Sequence, residues 1–136
     1  MLFLPLLAIL ALGTCPLQAE AAKAGPQGQE ETTELWTGSI LTATFRAGVC
    51  TKKDGTARGV LYLTHANGNT DVYHVYGHKK DNLFELSHSS GHSGQIRESE
   101  DGSLKGIVRI KNKYKFNVKG RSQLHVQLTD DCAPLR

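Results

Sequence analysis

The chain is short of the residues that staple, bend or catalyse. Of its 136 residues, three are cysteine, four proline, one tryptophan and one methionine. The cysteines contain no C-x-x-C pair, which argues against a thiol–disulfide redox catalyst. From Trp36 onward no window of about 11 residues keeps a helical apolar stripe, which argues against a helical domain. No complete catalytic motif appears. Gly91-His92-Ser93-Gly94 comes nearest to a nucleophile elbow and lacks the G-x-S-x-G spacing. Charge is also unevenly absent. The first nineteen residues carry no charged side chain, and no acidic residue lies between Asp101 and Asp130.

The uncharged start is apolar from Leu2 to about Leu12 and is then broken by Gly13 and Pro16. It reads as a secretory signal peptide over residues 1–21, cleaved after Ala19 or Ala21. The interrupted run is too short for a membrane span, which needs about 20 apolar residues. A second reading takes Leu12-Gly13-Thr14-Cys15 as a lipobox, with Cys15 lipidated and the protein anchored to the envelope. Otherwise the product is secreted or periplasmic. Residues 22–35 are polar and form a flexible leader, and residues 36–136 form one domain.

Cleavage removes Cys15 and leaves Cys50 and Cys132. Two cysteines in an oxidising compartment predict one disulfide. Closing so long a loop is worth about 4–5 kcal/mol in the chain-entropy model. Removing residues 1–19 leaves the net charge at +3, because that segment has no charged side chain.

From Trp36 onward, short alternating runs are separated by Gly, Asn and Asp. The pattern predicts an all-β fold of eight strands, at about 38–47, 58–65, 70–77, 83–88, 92–98, 104–110, 114–119 and 123–129. A meander of this size closes into a small antiparallel barrel, with a sandwich as the alternative. Asn67-Gly68 marks one hairpin. Ser89-Ser90-Gly91 and Glu100-Asp101-Gly102 read as three-residue loops with glycine in the left-handed position. The first sets Leu86 opposite Gly94 and Phe84 opposite Ile96, and the second sets Ile96 opposite Gly106. Apolar parity agrees, placing Phe84, Leu86, Ile96, Leu104, Val108 and Ile110 on one inward face. Leu41, Ala43 and Phe45, then Tyr114, Phe116 and Val118, then Leu124, Val126 and Leu128, complete it. In the second and third strands the inward face stays open between Leu61/Leu63 and Val60/Tyr62.

Two patches carry chemistry. The Ser89-Ser90-Gly91 loop places His88 directly opposite His92, close enough for both imidazoles to share a Zn²⁺ or Cu²⁺ ion. No third ligand is identifiable, so a structural or ligand-contacting turn competes with the metal. The second patch is Lys105, Arg109, Lys111, Lys113, Lys115, Lys119 and Arg121, all on odd positions opposite the apolar face. Pairing Ile110 with Tyr114 sets Arg109 across from Lys115 and Lys105 across from Lys119. An anion bound there relieves the repulsion. Export argues against nucleic acid as that anion. The reading is an exported, non-enzymatic binding module for a small ligand or an anionic macromolecule, with no required cofactor.

Overall fold

The computed structural model describes residues 30–136. The expected signal segment, the candidate lipobox and most of the expected leader lie outside them. The described chain forms eight strands: β1 (Glu31–Ile40), β2 (Ala43–Lys52), β3 (Thr56–Thr64), β4 (Thr70–Lys80), β5 (Leu83–Ser87), β6 (Ser93–Glu98), β7 (Ser103–Ile110) and β8 (Tyr114–Leu124). Each pairs antiparallel with the next, and β8 pairs with β1, so the sheet closes on itself. Closure leaves no edge strand among the described residues, as expected for a small meander.

The three glycine-ended turns form as expected. Backbone bonds His88 N–H to His92 O and Gly91 N–H to His88 O close the β5–β6 loop, with Gly91 at φ 99°. The β6–β7 loop repeats this with Ser99, Ser103 and Gly102 at φ 87°. The registers follow, with Phe84 opposite Ile96, Ile96 opposite Gly106 and Lys105 opposite Lys119. In β3 the open choice resolves to Leu61 and Leu63 inward, while Val60 is buried on the outer side.

The strand count is eight as expected, but two segments divide differently. The expected strand 38–47 is a hairpin, turning at Leu41-Thr42 between β1 and β2. Leu41 holds φ 55° and is 70% exposed, so it leaves the core face assigned to it. The expected strands 114–119 and 123–129 are one strand, β8, followed by an irregular tail. Gly120, which reads as a turn signal, lies mid-strand opposite Gly38. A methyl group on Gly38 would overlap the backbone of Lys119 and Gly120, so these glycines let β1 and β8 approach closely. Leu124 and Tyr114, expected inward, are mostly exposed at opposite ends of β8.

The expected leader also yields its last residues to the barrel, since Glu31–Leu35 belong to β1. They read as polar because the inward residue there is Glu34, fully buried at 0% exposure. Its Oε1 accepts bonds from Trp36 Nε1 (2.9 Å) and Ser122 Oγ (2.6 Å).

After β8 the chain becomes a strap across the outside of the barrel. His125 N–H bonds to Thr33 O, and Thr33 Oγ1 donates to Val126 O, which pins the start of the strap to β1. Cys132 then bonds to Cys50 on β2, with Cα atoms 6.0 Å apart. Gly48 makes this docking feasible: a methyl group there would overlap the carbonyl oxygen of Cys132. The strap is why β2 is buried on both faces from Ala47 to Thr51.

Candidate functional site

The inward side chains do not fill the barrel. They surround a cavity of about 370 Å³, lined by residues of all eight strands. The space exists because Ala43, Ala47 and Gly94 stand where larger side chains would meet. The walls are mainly aliphatic and aromatic, including Leu61, Val75, Ile96 and Phe116, and no Asp, Glu, Lys or Arg lines them. Pockets for small molecules span about 300–1,000 Å³. This one therefore suits a single chain or a small ring system.

One end is closed. Trp36 lines the cavity and packs edge-on against Phe84, with ring centroids 4.8 Å apart. Phe84 and Leu104 are fully buried behind it. Below them lie Glu34 and Glu98. The Glu98 carboxyl is pushed up to about 7, first by burial, then by its hydrogen bond with Glu34 and that neighbour's charge. Lys79 lies 3.8 Å from Glu98, and its ammonium also sits over the Phe84 ring. Glu34 Oε2 has no hydrogen-bond donor among the described residues. A protonated Glu98 is the neighbour able to supply one.

The other end is open. The turns β1–β2, β3–β4, β5–β6 and β7–β8 all lie there, and the lining reaches exposed Leu41 and Thr42, then His65, His88 and His92. His88 and His92 stack nearly parallel, 17° apart, with ring centroids at 5.9 Å. Tyr73 stands edge-on to both, at 5.2 Å from His88 and 5.9 Å from His92. Burial, and then Asp71, raises the Tyr73 phenol and keeps it protonated. Asp71 is itself engaged by His65 at 2.7 Å.

Backbone bonds fix the imidazole tautomers. The Ser90 N–H donates to His88 Nδ1 (3.1 Å), and the Lys111 N–H donates to His92 Nδ1 (3.2 Å). A backbone amide only donates, so each Nδ1 presents its lone pair. Each neutral ring therefore carries its proton on Nε2. The Ser90 hydroxyl also bonds His88 Nδ1, at 2.7 Å. Burial lowers the His92 pKa, with His88 and Lys111 adding to the effect, so that ring stays neutral. As arranged, neither ring offers a free lone pair, and Zn²⁺ or Cu²⁺ would have to displace a backbone hydrogen bond. Glu31 also lies close to Cys50 and Cys132, but those sulfurs are joined to each other and offer no thiolate.

The cationic residues fall where the register sets them. Lys105 faces Lys119, and Arg109 faces Lys115. Lys111 and Lys113 occupy the β7–β8 turn. Arg121 donates to Asp101 O (2.9 Å). Among the described residues none of the seven forms an ion pair. The structure adds Arg97, which stands opposite Lys105 on β6 and extends that row to three cations. The outer faces of β5, β6 and β7 enclose a second hollow of about 260 Å³, where Arg109 shares space with Glu85.

Sequence reasoning placed His88 against His92 but missed His65 and Tyr73. Resolving Leu61 and Leu63 inward would have found Tyr73, because Leu61 pairs with Tyr73. The carboxylates and histidines able to do acid–base work do not converge. Glu98 lies at the closed end, Glu85 on the outer face, and the histidines at the mouth. Comparison with family models, curated proteins and solved structures finds no match for this chain.

Proposed function

We propose that this chain is an exported, non-enzymatic binding module that holds one small, mainly apolar molecule inside its barrel. The observation that carries the reading is the open-ended apolar cavity of about 370 Å³ above a packed floor. Filling that space with a ligand removes apolar surface from water at roughly 25 cal/mol per Å². The exposed apolar side chains Leu41 and Tyr114 at the open end suit passage of such a molecule. The apolar, uncharged first nineteen residues support export.

The test is fluorescence titration with a neutral apolar probe such as N-phenylnaphthylamine. Saturable one-to-one binding is expected. Val75→Trp points a large ring into the cavity from β4 and should weaken binding by roughly tenfold or more, while cooperative thermal unfolding persists. Absence of saturable binding to the wild-type protein would overturn the reading.

A second reading is favoured by a separate observation. Arg97, Lys105 and Lys119 stand in one cross-strand row, and Arg109 and Lys115 in another, with no carboxylate paired to any of them among the described residues. Such a face supports docking on an anionic macromolecule from outside the barrel.

A further inference from the structure

We infer that the barrel selects an amphiphile with a single apolar chain and an anionic, hydrogen-bond-accepting head group, a carboxylate above all, received by the Nε2–H donors of His88 and His92. The inference rests on the cavity reading above and adds the chemistry of the ligand's polar end. Three observations carry it. First, the deep lining is apolar, whereas the mouth adds the polar and aromatic groups His65, Tyr73, His88 and His92. A ligand that matches both zones is polar at one end only.

Second, the two stacked rings are fixed as donors. Each Nδ1 is occupied by a backbone N–H, from Ser90 and from Lys111. The distal Nε2–H edges are left over, on rings that lie side by side along the cavity wall. Two neighbouring donors can each give a hydrogen bond to one anionic head group. They give an ammonium head nothing to bind, since neither ring presents an acceptor.

Third, the local charge has the right sign. Lys111 provides the amide that holds His92, and Lys113 follows in the same turn. No acidic residue lies between Asp101 and Asp130. The acidic group beside the mouth, Asp71, is engaged by His65. An anionic head therefore meets donors and the lysines of the β7–β8 turn, while the Asp71 carboxylate beside the mouth is hydrogen-bonded to His65.

The experiment compares decanoic acid, decanol and decylamine by displacement of the neutral probe, at a pH near 8 and below the micellar range. The acid is expected to bind at least tenfold tighter than the alcohol, and the amine weakest. His88→Phe with His92→Phe keeps two stacked aromatic rings and removes both donors, so it should erase the preference for the acid while the alcohol still binds. His88→Gln with His92→Gln restores amide donors and should recover part of the preference. Equal binding of all three ligands would overturn the head-group assignment and leave the cavity reading standing. Failure of all three, and of the probe, would overturn both. Retention of the acid preference in the double phenylalanine variant would assign selectivity to the lysines and overturn the role given to the histidines.

Discussion

At the residue scale, the two ends of the barrel hold protons in opposite senses. Glu98 keeps its proton in the folded state up to about 7, against 4.5 for an unperturbed glutamic acid. Between those values the unfolded chain has released the proton and the folded chain has not. Stability therefore falls as pH rises through that window, and the cost is complete above it. Glu98→Gln keeps a donor for Glu34 and removes the titration. The variant should match wild type near pH 4.5 and exceed it at pH 8. Allowing for solvent screening of a partly exposed carboxyl, the gain is about 1–2 kcal/mol. Melting at the two pH values checks this, and an equal offset at both would contradict it. His92 runs the other way: its lowered pKa means stability declines as pH falls below the ordinary histidine range.

At the element scale, what was legible depended on which signal marked each boundary. The β5–β6 and β6–β7 hairpins were readable because a glycine at the left-handed position and the apolar parity agreed on one register. The β1–β2 turn was not, because Leu41-Thr42 carries no glycine, asparagine or aspartate to announce it. The start of β1 was hidden for a different reason: a buried glutamate occupies the inward position that a strand usually gives to an aliphatic residue. The glycines of β8 and β2 misled or went unread, because close approach of another backbone leaves the same mark as a turn. Gly48 is the sharpest case. Gly48→Ala should displace the strap from β2 and cost about 1–3 kcal/mol, measured by denaturant unfolding. An unchanged midpoint would show that the strap does not need this contact.

At the scale of the whole molecule, the candidate site was only half legible. The histidine pair followed from one hairpin, but the cavity is a property of closure and depends on which residues are small across the barrel. The basic rows were readable in β7 and β8, while Arg97 joined them through β6. If an anionic macromolecule docks there, retention on heparin should fall with salt and be lost when Lys105→Glu and Lys119→Glu are combined. Neither substitution touches the cavity, so probe binding should persist. Retention that is unchanged by the double variant would remove the second reading.

The pairing of β8 with β1 is the one ladder that no hairpin supplies. Its partners, such as Gly38 and Gly120, are separated by most of the domain. Hairpins form in microseconds, whereas contacts between distant parts of a chain come late and slow the reaction. The bridge from Cys50 to Cys132 ties β2, the neighbour of β1, to the tail that follows β8. Once oxidised, the chain searches for its last seam as a tethered loop rather than as two free ends, so the oxidation state of two sulfurs governs how quickly the barrel shuts.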